Sequence, residues 1–243
     1  MTAPLLPVAV AGPSLDWYLT RSTGAVALLL LSVALALGVA DVRRLGTPSW
    51  PRFVLDALHR NASLLALVFL LLHILTAVLD SFASISLLAA FVPFVGSYRP
   101  FWLGLGAVAF DLLLAVILTS VLRQRFGQRV WRVTHWLVYA CWPIALLHTL
   151  GTGSDVKSAW LLALSVCCLA LVLAAVFVRA FAGFTREGAR TRGLALGGAF
   201  AFALFLALWL PSGPLGSEWA RRSGTPSALL GHSASRSRIV VGP

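Results

Sequence analysis

The chain has 243 residues, 59% of them hydrophobic and 11% charged, with a formal net charge of +11 and a mean hydropathy of +0.90. Soluble domains carry roughly 25% charged residues, so this balance excludes an ordinary soluble domain and points to a polytopic membrane protein. Such a net charge would suit a nucleic-acid binder, but the bases sit in short stretches flanking apolar runs, where they set topology and meet anionic headgroups; that distribution argues against nucleic acid and for a lipid bilayer as partner.

From the N-terminus, Met1 to Leu15 lacks the basic start and apolar core of a cleaved signal peptide. Residues 1–21 therefore read as a short extracytoplasmic stretch, and the first span directs insertion. A span takes about 20 apolar residues, and six windows qualify, at 22–40, 58–79, 101–122, 133–150, 159–181 and 193–210. Residues 22–210 thus read as an all-α bundle of six transmembrane helices.

Arg43, Arg44 and Arg52 follow the first span, and Arg60 lies at the head of the second. The second span carries His59 near one end and His73 toward the other. The stretch from Ser81 to Tyr98 is too apolar for an ordinary loop and too broken by Pro93 and Gly96 for a span. It reads as an interfacial or re-entrant segment covering the helix ends. The third span holds Asp111 near mid-membrane, where a carboxylate is costly; it suits a functional group or an interhelical hydrogen bond equally. Arg123, Arg125, Arg129 and Arg132 precede the fourth span, which carries His135, Pro143 and His148. Lys157, the sole lysine, stands before the fifth span.

Cys141, Cys167 and Cys168 all fall in apolar runs without CxxC spacing, as buried cysteines that act as small hydrophobes do. Arg179, Arg186, Arg190 and Arg192 join the fifth and sixth spans. Residues 211–243 form a polar tail, rich in Gly, Ser, Pro and Arg, expected to be irregular or loosely docked. His232 in that tail reads as a surface residue.

The three Arg-rich connections share one side, against Arg21, Arg99 and Lys157 on the other. The positive-inside rule makes the first side cytoplasmic and both termini extracytoplasmic, in the cell membrane. The second and fourth spans then run parallel, so His59 and His135 share an inner depth and His73 and His148 an outer one. Two such pairs are what two stacked bis-histidine haems require. Fourteen residues at about 100° return His73 to within about 40° of His59, displaced by about 21 Å. Thirteen residues leave His148 about 140° from His135, and a bend at Pro143, which cannot donate to the carbonyl of Tyr139, would re-aim it. A lone intramembrane histidine serves equally as an interhelical hydrogen-bonder; four in depth-matched pairs favour ligation.

The H-x13-H and H-x12-H pattern resembles the ferric reductase-like transmembrane domain, the family of NADPH oxidases, ferric reductases and the haem-binding membrane subunit of bacterial methionine sulfoxide reductase. The WYLTRSTG stretch, with Trp17, Arg21 and Gly24, is similar to the start of the helix before that family's first histidine helix. The resemblance covers about residues 17–180. It implies two haem b groups, one held by His59 and His135 and one by His73 and His148, passing single electrons across the membrane. For the anionic propionates, Arg21 and Arg99 are candidates at the outer level and Arg52, Arg60 and Arg132 at the inner. Arg21 is the preferred one, the others being as well explained by topology. Phe69, Tyr139 and Trp142 lie between the two levels.

No GxGxxG or other nucleotide fingerprint occurs, and about 33 residues follow the last span. The expectation is therefore an oxidoreductase component fed by a separate reductase, flavoprotein or quinol, with FMN or quinone entering through that partner. The competing reading is a transporter whose intramembrane histidines and Asp111 carry a metal ion or protons. Transporters of that kind show broken helices in matching halves, and no such repeat is visible.

Overall fold

The computed structural model describes residues 14–42, 51–81, 83–181 and 189–230. Every long element is a helix: α1 (Leu15–Val42), α2 (Arg52–Leu79), α4 (Pro100–Val121), α7 (Ala159–Phe181) and α8 (Ala189–Ser212). These five are long and apolar enough to cross a membrane. A sixth candidate crossing is a bent pair, α5 (Arg123–His135) and α6 (Val138–Thr152), joined at 49°. The chain is thus a polytopic, all-helical membrane protein. In a bilayer each backbone polar group must be satisfied within its own segment, which helices alone achieve here.

The surface is that of a protein dissolved in lipid. Leu64, Leu65, Val68, Leu71 and Leu75 on α2, Val166 and Phe177 on α7, and Phe200 and Leu208 on α8 all point outward, exposed. In water such a surface would aggregate; against acyl chains it is at no disadvantage. Beside a core of Leu28, Leu35, Trp142, Leu146 and Leu150, α1 turns small residues inward. Ala25, Ala27, Ala34 and Ser32 of α1 are buried, letting α2, α6 and α7 pack closely against it. Trp142 of α6 donates its indole N–H to Ser32 Oγ at 2.8 Å, and Ser32 donates to the carbonyl of Leu28.

The predicted spans lengthen at both ends of the chain. Helix α1 starts at Leu15, so Trp17 and Arg21 stand on the first long helix. The span expected at 133–150 is the bent pair, and its break lies at residues 136–137, not at Pro143, which sits inside α6. A second kink occurs at Gly127, whose φ of 78° suits glycine.

One end of the bundle is capped. The segment between α2 and α4 folds over it with a short helix, α3 (Leu88–Phe91), packed on α4. The start of the tail joins this cap, contrary to the expectation of loose docking. Trp219 of α9 (Trp219–Arg222) is buried and donates to the carbonyl of Gly151 at 3.1 Å. Arg99, also buried, donates to the carbonyls of Gly151 and Thr152 and to Thr225 Oγ1. A single aromatic side chain explains the docking, since Trp219 packs beside Trp102 and Trp209. Residues 231–243, with His232, lie outside the described residues.

Candidate functional site

Helices α2, α5 and α6 bring four histidines together in two pairs. The rings of His59 and His135 have centroids 6.3 Å apart with planes at 68°, and those of His73 and His148 are also 6.3 Å apart, with planes at 78°. Two metal–imidazole bonds of about 2.0 Å and two ring radii of roughly 1.15 Å place imidazoles on opposite sides of one metal ion about 6.3 Å apart. Both pairs have that spacing. Among the described residues no cluster of three or more His, Cys, Asp or Glu side chains forms. A bare ion usually takes four or more donors. Two imidazoles facing each other instead fit a metal whose remaining ligands arrive with a prosthetic group.

The bend between α5 and α6 resolves the phase problem posed by the thirteen-residue step. Trp136, Leu137, Tyr139 and Ala140 donate to carbonyls three residues back, which marks a 3₁₀ stretch. Such turns advance each residue by about 20° more than an α-helix. Four of them rotate His148 by about 80° toward the face of His135, and the 49° bend re-aims it further.

The second ring nitrogen fixes the tautomer. His59 donates its Nδ1–H to the carbonyl of Ala34 at 2.8 Å, His73 to that of Thr20 at 2.7 Å, and His148 to that of Trp102 at 2.9 Å. With the proton at Nδ1, the lone pair at Nε2 is free for a metal. His135 differs: among the described residues its Nδ1 is buried without a hydrogen-bond partner, and its ring stacks on Trp131 at 5.2 Å.

Space adjoins the His73–His148 pair on two sides. A cavity of about 190 Å³ is bounded by Trp17, Thr20, Arg21, His73, His148 and Asp155. Another of about 100 Å³ is bounded by the same two histidines with Leu70, Gly106, Phe110 and Cys141. Both imidazoles line both cavities, which leaves room for a flat group held between them. A third cavity, beside the bend, is walled by Trp136, Tyr139, Arg179 and Phe202 and touches none of the four histidines.

Arg21 lines the first cavity, pairs with Asp155 at 3.1 Å and lies 3.3 Å over the ring of Trp17. Its charge is therefore shared with a carboxylate at the rim. Arg99 does not line that cavity; its guanidinium is committed to the cap, and burial lowers its pKa from the ordinary value, partly offset by Tyr98. At the opposite end Arg60 and Arg132 are exposed, and the side chain of Arg52 lies outside the described residues. Asp111 is half-buried on α4 and lines none of the three cavities. Trp142 is tied to α1 and Tyr139 stands beside Arg179; Phe69 is half-buried on α2.

Sequence reasoning missed the carbonyl acceptors, because any residue carries a carbonyl. It also missed Asp155, whose only signal is a carboxylate in the same connection as Lys157.

A family model described as the ferric reductase like transmembrane component matches residues 23–146. That stretch covers α2, α4 and α5 whole and parts of α1 and α6, with His148 just beyond its end. No curated protein and no solved structure matches the chain.

Proposed function

The chain belongs to the ferric reductase-like transmembrane component family, and from that premise we propose that it carries single electrons across the membrane through two b-type haems. His59 and His135 ligate one, and His73 and His148 the other. Transmembrane electron transfer is the function the family suggests in general. The observation that carries the two-haem form is the equal 6.3 Å spacing of two histidine pairs. When bound, haem supplies a reversible one-electron iron couple whose potential is set by its ligands and surroundings.

The chain's own residues hold and shield that group. Four imidazoles present Nε2, three of them locked by backbone carbonyls. The walls of Leu31, Leu70, Ala145 and Phe110 exclude water from the His73–His148 site. Arg21 offers the anionic propionates a cation at its rim while Asp155 holds the guanidinium in place. Along α2 the two sites are about 21 Å apart, most of the way across a hydrocarbon core of about 30 Å.

The Arg-rich end, with Arg123, Arg125, Arg129 and Arg132, faces the cytoplasm and the capped end faces outward, as a multi-pass protein of the cell membrane. The chain acts as the membrane subunit of a multi-component reductase, taking electrons from a partner reductase, flavoprotein or quinol.

Visible spectra of the purified protein, oxidised and dithionite-reduced, with haem quantified per chain, test this reading. A low-spin b-type spectrum is expected, with two haems per chain in the wild type and one in His59→Ala or His148→Ala. A colourless protein from haem-replete cells would overturn the proposal and bring metal-ion or proton transport to the front.

A further inference from the structure

Three of the four imidazoles meet the neighbouring helix in one recurring way. His73 donates to the carbonyl of Thr20, and a Cβ on Gly24 would stand 2.9 Å from its Cε1 and Nδ1. His59 donates to Ala34, and a Cβ on Gly38 would stand 3.1 Å from its Cε1 and 3.3 Å from its Nδ1. His148 donates to Trp102, and a Cβ on Gly106 would stand 2.5 Å and 2.6 Å from the same two atoms. In every case the glycine follows the accepting residue by four.

Helical geometry explains the offset. A carbonyl at position i points along the axis toward residue i+4, and the Cβ of residue i+4 leans back toward it. Any side chain there overhangs the oxygen. The oxygen has a second lone pair beyond the one used inside the helix, and only glycine leaves it open to a ring from the next helix.

We infer that Gly24, Gly38 and Gly106 are positioning residues for the haem ligands. Each opens a helix wall so that one imidazole reaches a backbone carbonyl and is held in one tautomer and one ring plane; the inference rests on the haem reading above. The fourteen-residue interval between Gly24 and Gly38 repeats that between His59 and His73, as antiparallel packing of α1 against α2 requires. The His73–His148 pair is anchored from both α1 and α4. Among the described residues the His59–His135 pair is anchored from α1 alone, since His135 Nδ1 has no partner there. The fixed rings stand near perpendicular, at 78° and 68°; a haem held between rings so oriented would have its two π-type iron orbitals nearly equal in energy and would give a ferric signal of large g-anisotropy.

The experiment uses full-length protein from haem-replete cells, with haem quantified per chain and low-temperature electron paramagnetic resonance of the ferric form. Gly106→Ala and Gly24→Ala are expected to lose the His73–His148 signal, haem falling from two per chain to one, while the other signal stays at its wild-type position. Gly38→Ala, with the mildest crowding, keeps its haem but moves the His59–His135 signal toward lower anisotropy; Gly38→Val loses it. Gly198→Ala, whose added Cβ meets open space, leaves both signals unchanged. The untouched site in each variant reports that the bundle has folded.

Both signals at wild-type positions in Gly106→Ala and Gly24→Ala would overturn the inference, as would joint loss of both haems in every glycine variant. A wild type without haem sinks the function proposal and this inference with it. A two-haem wild type with indifferent glycine variants sinks only the inference.

Discussion

The hydrogen bond from Trp142 to Ser32 ties the histidine-bearing α6 to α1, and a double-mutant cycle measures its strength. Ser32 is 0% exposed and Trp142 4%, and their contact is 2.8 Å long, so neither partner finds water when the other is removed. Interhelical hydrogen bonds in membranes contribute about 0.6 kcal/mol on average and about 1.7 at most. Complete burial places this one in the upper half of that range, because the unpaired indole N–H of Ser32→Ala carries a desolvation cost of about 1–3 kcal/mol.

Ser32→Ala, Trp142→Phe and the double variant would be compared by unfolding in detergent, with the coupling taken as the non-additive part. The expected coupling is about 1–1.7 kcal/mol, and under the proposed two-haem function Ser32→Ala should also release haem from the His73–His148 site at lower temperature, since α6 carries His148. A coupling within about 0.3 kcal/mol of zero would refute the reasoning, as would a Ser32→Ala variant as stable as the wild type.

Two further outcomes are expected. Gly151→Ala would place a Cβ 2.1 Å from Trp102 Cε3, so the cap built on Trp102, Trp209 and Trp219 must shift; a thermal melt should show a loss of about 1–3 kcal/mol, the usual cost of overpacking. For topology, cysteines placed singly at position 157 and at position 125 in a cysteine-free background should be labelled from the outside and the cytoplasm respectively, and the reverse pattern would invert the orientation proposed from the arginines.

The membrane class, five to six candidate crossings and the pairing of His59 with His135 and of His73 with His148 were legible because each rests on side-chain chemistry written along the chain. Apolar runs of span length, flanking arginines and scarce intramembrane histidines need no partner to be recognised. Arg21 was legible as a residue beside the His73–His148 pair, but its bond to Asp155 was not, because 134 positions separate them. The break of the fourth span was misplaced at Pro143. The proline is the local signal for a bend, yet the structure bends at residues 136–137 through 3₁₀ hydrogen bonds that no residue type announces.

By itself, then, the sequence determined a lipid-dissolved helical bundle with two levels of histidine, since hydropathy and charge act on each segment separately. Only the tertiary structure decided which carbonyls hold Nδ1 of His59, His73 and His148, why glycines stand opposite those rings, and why His135 has no such anchor among the described residues. Those facts depend on how closely two helix backbones approach, and backbone carbonyls are identical at every position until packing brings one of them within reach of a ring.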